Sequence, residues 1–323
     1  MFLRGLSCVS ISASLLTATL VTSFAGGEDK PTKKEAPSIR GRWDLVVQGT
    51  HGDYPSWLEV RLSGYSTLVG SFVGHFGSAR PISRVEFDGG RVHFSLPPQW
   101  EGRKNDVDFE GTLDGDVIHG KTTDDDGKRV EWTGRRAPSL IRAKAPTWGE
   151  PIELCNGKDL TGWKPRSADA KSNWSVKDGV LVNAASGTDL ATERKFTDFK
   201  LRTEFRYSAG SNSGVYLRGR YEVQIEDNYG EEPDSHRIGG VYGFLTPSVN
   251  AAKKAGEWQT LDVTLVGRTV TVVLNGERII DRQAIPGVTG GALDSDEGEP
   301  GPILLQGDHG PVEFRNLSLT PGE

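Results

Sequence analysis

The sequence predicts an all-β protein in two parts: an N-terminal antiparallel β-meander closing into a small barrel, then a C-terminal jelly-roll β-sandwich. Three observations carry this. Glycine supplies 41 of the 323 residues, well above the usual ~7 %. It is dispersed, with 15 glycines in residues 38–137 and 22 in residues 150–323, as short strands joined by positive-φ turns require. Apolar and polar residues alternate in short runs separated by turn signals. No amphipathic helix of three turns is visible. Collagen-like and low-complexity chains are excluded, because both concentrate glycine.

In the first part, runs at 42–48, 57–63, 67–73, 82–88, 91–96, 106–113, 116–122 and 129–133 read as eight strands. Alternation is clear in Val85/Phe87, in Val92/Phe94/Leu96 and in Val107/Phe109. Asp88-Gly89-Gly90, Asp114-Gly115-Asp116 and Asp126-Gly127 are hairpin turns. Consecutive hairpins make a meander, and closure hides its edges. Trp43, Trp57 and Trp132 are expected in the core, and Trp100 in an exposed loop. Asp124-Asp125-Asp126 reads as a solvated turn rather than a calcium site.

Residues 138–149 hold two prolines and little alternation, which marks a linker between domains 38–137 and 150–323. Strands are then expected at 173–177, 179–183, 198–207, 213–219, 221–226, 258–266, 269–274, 277–281, 302–306 and 312–319. Asn275-Gly276 is a type I′ hairpin signal. About ten antiparallel strands suit a two-sheet sandwich.

The N-terminus reads as a signal peptide over residues 1–25. Arg4 precedes an uncharged stretch at 6–24, and Ser23-Phe24-Ala25 fits the small-x-small cleavage pattern. Five serines and three threonines in that stretch disfavour a membrane anchor. Residues 26–37 follow as a solvated linker. The chain is therefore expected to be exported, to the periplasm, the cell surface or the medium, with no membrane span once processed. A net charge of −6 lacks the footprint of a nucleic-acid binder. Two cysteines, Cys8 and Cys155, exclude a disulfide scaffold or a cysteine-rich zinc site. Oligomeric state is not readable.

Chemistry gathers on the second part. In 221–226, Tyr221, Val223 and Ile225 point one way, and Glu222, Gln224 and Glu226 the other, next to Arg218. A row of long polar groups on one strand face suits a sugar groove, where planar polar groups and aromatic faces do the binding. Glu204 stands in a second polar row, on 199–207, which on this strand alone reads first as a solvent-facing row. Gln306, Asp308 and His309 close a third strand. The long loop 227–248 carries Tyr229, His236 and Tyr242, and loops of this length are often functional. There is no G-x-S-x-G, H-E-x-x-H or P-loop motif. No cofactor is required by the sequence. A divalent ion at the carboxylates near Asp227 is left open.

Residues 152–320 resemble the 3-keto-disaccharide hydrolase domain family. The phrases that carry the resemblance are Leu154-Cys155-Asn156-Gly157-Lys158-Asp159-Leu160-Thr161-Gly162-Trp163, Trp174-Ser175-Val176-Lys177-Asp178-Gly179-Val180-Leu181, Asn212-Ser213-Gly214-Val215-Tyr216-Leu217-Arg218, Tyr221-Glu222-Val223-Gln224-Ile225, Gly256-Glu257-Trp258, Leu274-Asn275-Gly276, Ile303-Leu304-Leu305-Gln306 and Phe314-Arg315-Asn316-Leu317. The resemblance implies a concanavalin A-like sandwich, related in fold to laminarinase-type glucanases. It also implies a carbohydrate substrate, cleaved at the glycosidic bond of a sugar already oxidised to a ketone at C3. A C3 ketone acidifies the C2 proton, so the site needs a base, an oxyanion clamp and an acid. Matching positions offer Glu222 as base or acid and His309 as a second acid or base. Arg218 and Gln224 would clamp, Gln306 would take sugar hydroxyls, and Trp258 or Tyr242 would stack.

Two rivals remain at this level. A laminarinase-like strand carries E-x-D-x-(x)-E, and Glu222-Val223-Gln224-Ile225-Glu226 keeps the outer carboxylates but has Gln in place of the central Asp. A conventional retaining hydrolase needs those carboxyls ~5–5.5 Å apart. A non-catalytic carbohydrate-binding module would use the same polar and aromatic residues without chemistry.

Overall fold

Eight consecutive strands, β1 (Gly41–Gly49), β2 (Gly52–Ser63), β3 (Thr67–Val73), β4 (Arg80–Asp88), β5 (Arg91–Leu96), β6 (Val107–Asp114), β7 (Val117–Thr123) and β8 (Arg129–Arg136), form an antiparallel barrel closed by pairing of β8 with β1. The computed structural model describes residues 38–98, 104–124 and 126–323. The expected signal segment, the linker 26–37 and Trp100 lie outside the described residues. The period-two pattern dictates the barrel wall. Trp43, Leu45 and Val47 of β1 meet Phe72, Phe94, Phe109 and Trp132 in the interior, all at most 2 % exposed. Phe94 and Phe109 stack at 4.8 Å. Each buried aromatic or aliphatic side chain is worth ~1.5–3 kcal/mol. Asp124 is no solvated residue. It accepts hydrogen bonds from the Thr50 hydroxyl at 2.7 Å and the Lys128 amide at 2.9 Å, which ties the β7–β8 turn to the β1–β2 turn.

The strands that follow are β9 (Ile152–Glu153), β10 (Trp163–Pro165), β11 (Trp174–Lys177), β12 (Val180–Asn183), β13 (Leu190–Thr192), β14 (Asp198–Tyr207), β15 (Asn212–Leu217), β16 (Tyr221–Glu226), β17 (Gln259–Val266), β18 (Thr269–Leu274), β19 (Glu277–Ala284), β20 (Leu304–Leu305) and β21 (Val312–Gly322). They make a five-stranded sheet in the order β10-β13-β20-β15-β16, and an eight-stranded sheet in the order β11-β12-β21-β14-β17-β18-β19 with β9 on β21. The sheets bury Val215, Leu217, Tyr221, Val223 and Ile225 of one against Phe199, Leu201, Phe205, Val263 and Phe314 of the other, a sandwich. Asn275 and Gly276 both take positive φ, 52° and 84°, as a type I′ turn demands. Three strands go beyond the sequence expectation, β9, β10 and β13. Two or three residues are too few to show alternation.

The segment 286–297 forms the seam between barrel and sandwich. Trp57 lies on the outer side of β2, buried against Val288 and Ala292 and edge-on to Phe244 at 5.6 Å. A Cβ on Gly287 would strike the Trp57 ring. Arg42 of β1 donates to the Pro286 carbonyl at 3.0 Å. Asp44 of β1 lies beside the fully buried Glu297, which Arg268 grips with two bonds of 2.7 Å. No helix among the described residues is long and apolar enough to cross a membrane.

Candidate active site

The outer face of the five-stranded sheet is set by register. Gly214 pairs with Gln224 and Tyr216 with Glu222 across β15–β16, and Tyr216 pairs with Leu304 of β20. Since Val215, Val223 and Leu305 fill the core, the alternate residues Gly214, Tyr216, Glu222 and Gln224 face away from it.

Glu222 is the centre of this face. Its side chain fills the space left by Gly214, where any Cβ would collide with the carboxylate. It accepts a hydrogen bond from the Tyr216 hydroxyl at 2.9 Å, and its own amide donates to the Thr289 hydroxyl at 3.0 Å. Burial pushes its carboxyl up to about 8, against the opposing pull of the Tyr216 hydrogen bond and the His309 charge. Glu222 is 4 % exposed, so the carboxyl is almost dry.

His309 sits on the loop after β20, half exposed, and its ring is hydrogen-bonded to Asp308. That bond raises its basicity, and the charges of Glu222 and Asp189 add to the effect. Asp189 is buried, accepting from the Gly307 amide at 3.0 Å and from Arg166 at 3.2 Å. Arg166 also donates to the carbonyls of Gly291 at 2.8 Å and Ala292 at 3.0 Å. Gln306 donates its backbone amide to Gly214, and its side-chain oxygen is buried with no partner among the described residues. Such an orphan acceptor is costly unless a ligand donor meets it.

The loop 227–248 is stitched to the edge strand β16. Gly239 and Tyr242 donate to the carbonyls of Gln224 and Glu222, and Val241 bridges Val223. This covers the sheet edge and brings Tyr242 within reach of the charges of both Glu222 and Glu226. The ring of His236 packs edge-on to Tyr242 at 5.0 Å. The Gln224 amide is occupied by the His236 carbonyl at 3.2 Å and the Ile225 amide at 3.2 Å, so it anchors the loop rather than clamping an oxyanion. Glu226 turns to Arg237 at 3.6 Å. Four residues along a strand separate Glu226 from Glu222, ~13 Å of backbone, and the groups acting on the two carboxyls are different.

Three expected site residues lie elsewhere. Arg218 is fully buried with φ at 54°, and its guanidinium donates to the carbonyls of Glu297 at 3.1 Å and Gly267 at 3.0 Å and to the Tyr221 hydroxyl at 2.9 Å. It follows the end of β15, where the turn redirects it into the seam. Glu204 faces outward from the eight-stranded sheet, bonded to Arg315 at 2.8 Å and Asn316 at 2.8 Å. Trp258 adjoins that sheet and lies under the guanidinium groups of Arg315 at 4.0 Å and Arg206 at 4.8 Å. In turn, sequence reasoning missed Tyr216, Asp189, Arg166 and Thr289. Tyr216 had a signal, since it alternates with Val215 and Leu217. Asp189 and Arg166 had none, because β13 and β10 are too short to assign a face.

Over residues 150–320 the sequence matches the model of a family described as the 3-keto-alpha-glucoside-1,2-lyase-like domain. The chain belongs to this family. Every site residue named above falls inside the lyase-like domain, and the barrel falls outside it. A 3-keto-disaccharide hydrolase of Bacteroides thetaiotaomicron is 22 % identical over 166 residues, covering 40 % of this chain and 57 % of that protein. The chain thus spans little more than half the length of that curated relative. Two solved structures of candidate glycosyl hydrolases from Parabacteroides distasonis are also similar. One is 29 % identical, covering 55 % of this chain and 92 % of that one at a TM-score of 0.44. The other is 23 % identical, covering 55 % and 99 % at a TM-score of 0.42.

Proposed function

We propose that the lyase-like domain cleaves the glycosidic bond of 3-keto-glucosides by elimination and rehydration. The observation that carries this is the buried Glu222 carboxyl, held by Tyr216 and pushed up to about 8. A carboxylate of that basicity is far better suited than an ordinary one to remove a carbon-bound proton next to a ketone. Glu222 takes the C2 proton, and the C–H electron pair becomes the C2–C3 enolate with its charge on the C3 oxygen. The enolate collapses to the ketone, a C1–C2 double bond forms, and the C1–O bond breaks. Glu222 returns its proton to the departing oxygen. Water then adds across C1–C2, placing hydroxyl on C1 and hydrogen on C2.

The developing enolate needs a cation. Arg218 is committed to the seam, and His309, its positive form favoured by Asp308, is the positive group whose charge acts on Glu222. His309 therefore takes the clamp role in this reading, and the orphan oxygen of Gln306 receives a sugar hydroxyl. The conventional retaining hydrolase fits less well, since Glu226 is drawn to Arg237 and not toward Glu222.

The test uses a chromogenic 3-keto-α-glucoside and the matching unoxidised α-glucoside. Release from the keto substrate alone is expected. Equal turnover of both would favour a retaining hydrolase, and binding with no turnover a carbohydrate-binding module. We also propose that the chain acts after export, supported by Arg4 and the uncharged stretch 6–24. An exported protein whose N-terminus is Gly26 checks this.

A further inference from the structure

The barrel has no counterpart in the family match, yet one of its loops reaches the catalytic face. The β3–β4 connection, residues 74–79, is pinned on two sides. On one side the Gly291 amide donates to the His75 carbonyl at 2.9 Å, and Gly290 is packed so tightly on Gly77 and Phe76 that a Cβ there would strike their backbone. The Gly290 carbonyl in turn accepts the Tyr216 hydroxyl at 3.0 Å, the same hydroxyl that holds Glu222. On the other side Ser78 lies against Gly243, where a Cβ would come within 2.5 Å, and Gly243 follows Tyr242. The barrel loop therefore sits between the two segments that border Glu222.

What this loop presents is aromatic. Tyr54, His75 and Phe76 form one stack, with ring centroids 4.7 Å apart for Tyr54–His75 and 3.8 Å for His75–Phe76. Phe76 ends the stack and is 49 % exposed. A half-exposed phenyl ring on a loop that borders the Glu222 face has a use, because the C–H faces of a pyranose pack on aromatic rings. Gln306 and His309 approach Glu222 from the Gly214 end of the face, whereas the barrel loop stands at the Tyr216 end.

We propose that Phe76, at the end of this stack, forms the subsite for the leaving group, taking the second sugar ring of a disaccharide. The barrel thereby selects 3-keto-disaccharides over 3-keto-glucosides with small aglycones. This rests on the reading of Glu222 as the base that cleaves 3-keto-glucosides.

The test compares 3-keto-trehalose with methyl 3-keto-α-glucoside on the full chain. Phe76→Ala is expected to raise KM for the disaccharide about five- to tenfold and to change KM for the methyl glycoside less than twofold, while Phe76→Trp retains disaccharide affinity. Equal effects on both substrates, or none, overturn the subsite. Calorimetric titration with unoxidised trehalose separates the two readings. If the wild type turns over neither keto substrate, the cleavage reading fails. The subsite then stands if trehalose binding weakens at least fivefold in Phe76→Ala, and falls if it does not.

Discussion

The Tyr216 hydroxyl donates to the Glu222 carboxylate at 2.9 Å and also meets the Gly290 carbonyl at 3.0 Å. One hydroxyl cannot donate to both acceptors fully at once. When Glu222 is charged the carboxylate is the stronger acceptor. When Glu222 is protonated its own O–H can turn to the Tyr216 oxygen, and Tyr216 is released to Gly290. Tyr216 thus follows the proton on Glu222.

Glu222→Gln is expected to lower kcat on a 3-keto-glucoside by ~10²–10⁴-fold, the usual worth of a positioned base. The fold should survive. Glu222 is raised above its unfolded value, so its protonated form contributes stability that is fully present below the ordinary carboxylate range and is lost as pH rises toward about 8. A neutral amide escapes that loss. A melting temperature at pH 7.5 equal to or above wild type, together with the lost activity, is the expected pair. Full activity in the variant would remove Glu222 from the mechanism.

Tyr216→Phe moves the pH profile. In the proposed reaction Glu222 must be ionised and His309 charged, so kcat/KM should rise with pH toward about 8 through Glu222 and fall again as His309 loses its proton. The Tyr216 hydrogen bond pulls the Glu222 value down. Its removal should carry the rising limb upward by about one unit, the equivalent of ~1.4 kcal/mol. An unmoved limb would show that the hydroxyl only packs.

Arg218→Met tests the separation of Arg218 from the face. Its three donated bonds end on buried acceptors, including the Tyr221 hydroxyl, which itself donates to Glu297 at 2.6 Å. Removing one member of such a buried charged network costs ~3–5 kcal/mol. Urea denaturation should show that loss, while KM of the remaining folded enzyme stays within twofold of wild type. A selective rise in KM at unchanged stability would return Arg218 to the substrate.

Asp44→Asn addresses the seam. Burial, and then the neighbouring Glu297 charge, push the Asp44 carboxyl up to about 9. The sign follows from the raised value. Stability from this group is fully present below pH ~4 and is lost progressively as pH rises toward about 9. An amide keeps a donor toward Glu297 without a proton to lose. The variant should be more stable than wild type at pH 8, by ~1–2 kcal/mol, and indistinguishable at pH 4. Thermal melts at the two pH values check this.

Much of the fold was legible because a period of two is hard to disguise. All eight barrel strands and nine strands of the second part follow from alternation and from turns such as Asn275-Gly276, and the two-residue β20 from the apolar run within 302–306. The Glu222 face was legible for the same reason, since Val223 and Ile225 fix where Glu222 must point. Arg218 was not. Strand alternation ends with β15 at Leu217, and φ of 54° at Arg218 sends its side chain into the seam. Glu204 and Trp258 were misplaced for another reason. A polar row on a sandwich strand looks the same on either sheet, and only the pairing order separates the sheet that carries Glu222 from the far one. Arg166, Asp189 and the barrel loop come together through long-range packing, which leaves no local mark in the sequence.

A closed barrel keeps all of its backbone ladders for itself. Its connecting loops are then free to lengthen, shorten or change composition with little effect on the wall. With one loop resting beside the Glu222 face, the barrel becomes an interchangeable cassette. Related chains could exchange it, or rewrite residues 74–79 alone, and change what borders that face while the five-stranded sheet stays fixed.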